Sequence, residues 1–144
     1  MNTKRILVLN GHPGDTSLSR QFADTYASAA RRAGHDVRIH HLPEMGFDMD
    51  FGRGDYHQFK PLEPVLETFL SDLEWAGHFV ITTPMWFERL VYKRAFMHQL
   101  SGQILGFVGI KPTRYSYFSG ASDAKPAKVN HWLRTVENIG QKAA

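Results

Sequence analysis

Residues 5–19 read RILVLNGHPGDTSLS, and the order of residue types in that stretch decides the fold. Ile6 to Leu9 form an aliphatic run of strand length, which Asn10 closes. Six small, polar or turn-forming residues follow, more than a plain turn needs. From Ser17 the period changes: Leu18, Phe22, Tyr26, Ala29, Ala30 and Ala33 recur at spacings of three and four. That spacing predicts an amphipathic helix ending at Gly34. Residues 35–42 (HDVRIHHL) then alternate, with Val37 and Ile39 on one face, and predict a second strand near a sheet edge. A strand, a helix and a strand in so short a span indicate a βαβ unit with a parallel pair.

The pattern repeats downstream. Residues 44–60 are too rich in Gly and Asp for regular structure, yet hold several Phe, Met and Tyr side chains. Those either pack back over the sheet or line a pocket or subunit contact. Pro61 opens a second helix whose stripe is Leu62, Val65, Leu66, Phe69, Leu70 and Leu73, and Gly77 ends it. Residues 78–83 (HFVITT) predict a third strand, with Pro84, Met85, Trp86 and Phe87 leaving its carboxyl end. A helical stretch runs from 88 to about 100, and residues 104–110 (ILGFVGI) read either as the end of that stretch or as a strand, with two Gly favouring a helix end or turn. Residues 113–118 (TRYSYF) have strand composition, and a final helix carries Val129, Trp132, Leu133, Val136 and Ile139. The expectation is one domain, residues 1–144, built as an open parallel α/β sheet with helices on both faces. In such sheets ligands bind outside the carboxyl ends of the strands. The loops at 10–17 and 84–87 both fall there.

Composition narrows the chemistry. The 144-residue chain has no cysteine, which removes thiol catalysis and Cys-ligated metal centres and fits a reducing, cytoplasmic setting. The first residues run straight into a strand, so no leader is expected. No apolar run approaches the ~18 residues of a membrane helix, so no integral membrane segment is expected either. Net charge is +3, from 17 Lys and Arg against 14 Asp and Glu, mostly in short pairs. A nucleic-acid binder shows a denser basic stripe, so none is expected as partner.

The first loop lacks the third Gly of a dinucleotide fingerprint and the Gly-Lys of a P-loop. What remains is two Gly, the hydroxyls of Thr16 and Ser17, and His12, ending on a helix amino terminus. Outward N–H groups there hold a phosphate, and the hydroxyls and the imidazole add donors. Asp15 would repel an anion and is expected to turn outward. The same residues read equally well as an ordinary βα turn in which Ser17 caps the helix, worth about 1 kcal/mol. Residues 84–87 either close the core or offer amides and a flat ring to a planar ligand. Together the two loops point to a phosphorylated aromatic cofactor. His40 and His41, adjacent in a strand, face opposite sides, so no metal site is expected. Ser17, His12 and Asp15 are too crowded in one loop for a triad.

Residues 5–13 with Ser17, Leu18 and Ser19, and residues 73–86 (LEWAGHFVITTPMW), resemble the NAD(P)H:quinone oxidoreductases of flavodoxin-like fold. Residues 106–110 and Trp132 with Leu133 resemble that family's carboxyl end. The resemblance implies a three-layer α/β/α domain, a homodimer, and hydride transfer from NAD(P)H through FAD or FMN to a quinone-like acceptor. It implies that His12, Ser17, Leu18 and Ser19 surround the cofactor phosphate and that Pro84, Met85, Trp86 and Phe87 lie along the flavin ring. The chain departs from the family after Trp86, where it runs at once into residues 90–96 with no Thr-Gly-Gly strand end. The family's strand four is thus missing or rebuilt, and residues 113–118 are expected to move over beside strand three, giving order 2-1-3-5. No catalytic residue is assigned. A flavodoxin-like domain without catalysis, serving as a binding or regulatory subunit, is the alternative.

Overall fold

The computed structural model describes residues 2–50, 60–85 and 90–143. It divides into two compact units, Met1–Pro84 with Leu133–Ala144, and Met85–Trp132.

The first unit is built on β1 (Arg5–Asn10), α1 (Leu18–Arg32), β2 (Asp36–His41), the single turn α2 (Leu42–Met45), α3 (Pro64–Trp75) and β3 (His78–Thr82). The strands form one parallel sheet in the order β2-β1-β3, so the predicted βαβ unit and the edge position of the second strand are both found. In register, Asn10 lies opposite His41 on one side and Thr82 on the other. Ile6, Leu7 and Val8 are fully buried, as a central parallel strand covered on both faces requires.

One face is covered by α1. Its buried side is Phe22, Ala23, Tyr26, Ala27, Ala29 and Ala30, the predicted stripe. The small Ala residues let the end of α5 (Pro126–Lys142) approach closely: a Cβ on Gly140 would lie 2.7 Å from the Tyr26 carbonyl oxygen. Arg32 pairs with Glu137 at 2.6 Å, and Lys4 Nζ donates to the Ala143 carbonyl at 2.8 Å. The Tyr26 hydroxyl, buried beneath, hydrogen-bonds with His78 Nε2 at 3.1 Å. Burial pushes its phenol up to about 12 from the ordinary 10.0. The stabilisation of the neutral phenol is therefore whole below pH 10 and is lost as pH rises from there through about 12. A difference of that size is worth roughly 3 kcal/mol. Alkaline unfolding of the protein should steepen across that window, and in Tyr26→Phe that contribution to the loss should be absent.

The other face is covered by α3. Phe69 meets the rings of Phe79 and His40 edge-on, at 6.3 and 5.5 Å. Asp72 accepts from Arg38 Nη1 and from His40 Nε2, each at 2.6 Å, and the Arg38 guanidinium lies 3.9 Å over the Trp75 ring. Burial pushes the Asp72 carboxyl up, but the hydrogen bonds from His40 and Arg38 outweigh it and hold it below the ordinary 3.8. This stabilisation is present above about pH 4 and is lost as pH falls through the lowered value. Asp72→Asn is expected to cost about 1–3 kcal/mol at neutral pH and to make acid unfolding shallower, read by urea midpoints against pH.

α3 begins at Pro64 rather than at Pro61, a correction with a local cause. Pro64 has no N–H to donate into a turn started at 61, and it forces Glu63 into extended backbone (φ −74°, ψ 148°). Leu62 consequently falls outside the helix and is 52 % exposed; within α3 Val65, Leu66, Phe69 and Leu73 are half-buried, and Leu70, counted in the same stripe, is exposed.

The second unit contains α4 (Leu90–His98), a π-helical continuation (Gln99–Leu105), a turn over 106–109 and an irregular stretch leading to α5. The Gly residues at 106 and 109 end the helical run as expected. Residues 113–118 form no strand, and the sheet among the described residues stops at order 2-1-3 instead of 2-1-3-5. Strand composition is only a preference for a pleated, half-buried surface, and here no ladder partner holds it. Tyr115 is 64 % exposed, while Phe118 turns its ring onto Trp132 at 5.7 Å.

Candidate functional site

β1 ends on Asn10, a fully buried polar residue at the carboxyl edge of an otherwise aliphatic strand. Its Oδ1 accepts from the His12 N–H at 3.2 Å, which turns the chain out of the sheet. The Gly11 N–H donates to the Thr82 carbonyl at 2.8 Å, tying the loop to the end of β3. The Thr82 hydroxyl in turn donates to the Ser19 carbonyl at 2.9 Å, so the first turn of α1 is fixed to the same strand end.

Within the loop, the Gly14 N–H donates to His12 Nδ1 at 2.9 Å. Nδ1 is therefore the acceptor, and the neutral imidazole carries its proton on Nε2. A Cβ on Gly14 would stand 3.1 Å from His12 Cε1 and 3.3 Å from Nδ1, so glycine lets the ring fold back on its own loop. Ser17 is the predicted N-cap: its backbone is extended and its Oγ accepts from the Arg20 N–H at 3.0 Å. Having accepted that bond, the hydroxyl keeps its proton to donate. The amides of Leu18 and Ser19 open the helix, where no carbonyl of a preceding turn exists to receive them. The first turn of α1 carries no acidic residue. Ser17, Leu18, Ser19 and His12 thus form a set of donors on one loop and one helix end, the composition an anionic oxygen cluster requires.

Thr16 is exposed, as is Asp15. The Asp15 carbonyl accepts from Arg20 Nη1 at 3.4 Å, and the same guanidinium pairs with Glu44 at 2.6 Å. The hydrogen bond from Arg20 holds the Glu44 carboxyl below its ordinary range. Arg20 therefore braces the loop against α2. Its role, like that of Asn10, is absent from the sequence reading. For Asn10 the signal was available: a polar residue closing an aliphatic strand at a carboxyl edge. The Asn10 Nδ2 is buried with no hydrogen-bond partner among the described residues, as is Nδ1 of its register partner His41. A buried amide left so costs about 1–3 kcal/mol, a penalty relieved by a water or ligand oxygen.

Of the second loop, Pro84 is part-buried just past β3, beside Thr83, whose hydroxyl donates to the Pro84 carbonyl at 3.4 Å. Met85 is part-buried in the second unit, and Trp86 and Phe87 lie outside the described residues. Among the described residues no group of His, Asp and Glu is arranged to hold a metal ion.

No curated protein sequence matches the chain. Among solved structures it is similar to the NAD(P)H:quinone oxidoreductase from Methanothermobacter marburgensis, with a TM-score of 0.80 at 15 % identity over 99 % of this chain and 100 % of that one. It is also similar to Smu.1420 from Streptococcus mutans UA159, with a TM-score of 0.75 at 15 % identity over 95 % of this chain and 98 % of the other. Identities that low speak for the fold alone. The model of the flavodoxin-like fold family matches residues 4–90, which include β1, its loop, α1, β2 and β3 and make up more than half of the sequence. The chain therefore belongs to the flavodoxin-like fold family.

Proposed function

We propose that the chain is a flavin-dependent oxidoreductase that passes a hydride from NAD(P)H through FMN or FAD to a quinone or similar acceptor. The observation that carries this reading is the all-donor loop end of α1, with no acid in its first turn and an orphaned buried amide at Asn10 beneath it. A flavin phosphate presents only acceptor oxygens, so its chemistry fits that donor set. In this reading the Leu18 and Ser19 amides, the Ser17 hydroxyl and His12 Nε2–H hold the phosphate, with Thr16 at the rim. Of the second loop, Pro84 lies in the same unit as this cradle, just past β3. The bound flavin supplies two-electron chemistry, and the chain's part is to fix and orient it. The acceptor class is taken from the quinone oxidoreductase that shares this fold.

The alternative, a non-catalytic binding subunit, draws on the irregular course of residues 113–118, which add no further strand to the sheet. The test is reconstitution with FMN or FAD followed by NADH or NADPH oxidation with a soluble benzoquinone. Flavin-dependent turnover is expected. Binding without turnover would favour the subunit reading, and neither binding nor turnover would remove the proposal.

A further inference from the structure

The described part of the second unit buries little of its own apolar surface. Trp132 is the one buried residue in its described part. Phe107 is 87 % exposed, and Ile104, Val108 and Tyr115 are exposed with it. Ile104, Phe107 and Val108 stand at positions i, i+3 and i+4 of one helical turn, closed by the Val108 N–H to the Ile104 carbonyl at 3.2 Å. Two glycines shape this tip. A Cβ on Gly106 would lie 2.7 Å from the Gly102 carbonyl oxygen, and Gly109 has φ +86°. The turn that projects Phe107 is thus a built feature of the backbone, not a frayed end.

The stretch of chain that carries it is one-sided in charge. Residues 94–132 carry five Lys and Arg (Arg94, Lys111, Arg114, Lys125 and Lys128) against one acid, Asp123, a net +4 in a chain whose total is +3. All six are exposed. Pairing the same patch on two copies would set +4 against +4, which disfavours a second copy. An exposed aromatic turn in a basic unit suits an anionic surface that takes apolar side chains without a shaped groove. Among the described residues no helix is long and apolar enough to cross a membrane, so any attachment through this unit is peripheral.

We propose that this face docks on an anionic lipid surface, with Phe107 and Val108 entering the headgroup layer and Lys111 and Arg114 beside the phosphates. The inference does not depend on flavin binding, and its test uses none. The full-length protein is sedimented with vesicles of phosphatidylcholine containing phosphatidylglycerol, and with vesicles of phosphatidylcholine alone. Binding to the anionic vesicles, weakened by salt, is expected. Phe107→Ser with Val108→Ser, and separately Lys111→Glu with Arg114→Glu, should each lower partitioning about tenfold. Circular dichroism of both variants should match the parent, because these side chains are exposed. Equal binding to both vesicle types, no binding, or binding unchanged in both variants would overturn the proposal. Concentration-dependent self-association lost in the Phe107 variant, in place of vesicle binding, would assign the face to a second copy.

Discussion

Gly140→Val is expected to destabilise the protein by about 3 kcal/mol, the largest stability effect of any single change considered. Gly140 lies in α5 where it crosses α1. An added Cβ would meet the Tyr26 carbonyl oxygen at 2.7 Å, and the Ala29 Cβ and Tyr26 Cα at 3.1 Å. Two of those atoms are backbone, so relief requires moving a helix rather than turning a side chain. The informative control is Gly140→Ala. At an ordinary helix position this replacement gains roughly 1 kcal/mol, because glycine loses the most entropy on ordering. Here the sign is expected to reverse. Urea unfolding checks both: midpoints fall for Ala and further for Val, with the slope unchanged. A stabilising Gly140→Ala would mean that α1 and α5 do not approach as closely as described.

The second large effect concerns binding. Gly14→Val combined with Ser17→Ala is expected to weaken FMN binding by roughly 10–100-fold, the size of one or two charge-assisted hydrogen bonds. Valine at 14 drives the His12 ring from the Gly14 amide that holds its Nδ1, and alanine at 17 removes the helix cap together with the proposed phosphate donor. Losing the cap also costs about 1 kcal/mol of stability, so affinity is compared well below each variant's melting temperature. The two positions share one loop, and their effects are not expected to add. Fluorescence quenching of added FMN reads the change.

The first half of the fold was legible because its local signals agreed. Ile6 to Leu9 read as a strand, of which Ile6, Leu7 and Val8 are buried, Ser17 read as a cap and accepts the Arg20 amide, and Gly34 read as a stop and has φ +87°. Where local signals compete, spacing alone misled. Pro61 and Pro64 both suit a helix start, and only the backbone forced on Glu63 decides for the later one. Residues 113–118 have the composition of a strand, but pairing is a tertiary matter, and Phe118 finds Trp132 instead of a ladder. At the candidate site, His12, the Ser17 hydroxyl and the helix amino terminus were readable from residue type and position, whereas Leu18 and Ser19 were named through the family resemblance. The brace from Arg20 to Glu44 was not, because its partners lie 24 residues apart.

The central claim is that the loop after β1 cradles a flavin phosphate, and FMN compared with riboflavin tests it most directly. The two ligands share the ring and differ by that one group. Titration of the protein with each, followed by absorbance and fluorescence, should show FMN binding at least about tenfold more tightly, since the phosphate alone engages the Ser17, Leu18 and Ser19 donors. Equal affinity for the two, or binding of neither, would contradict the account.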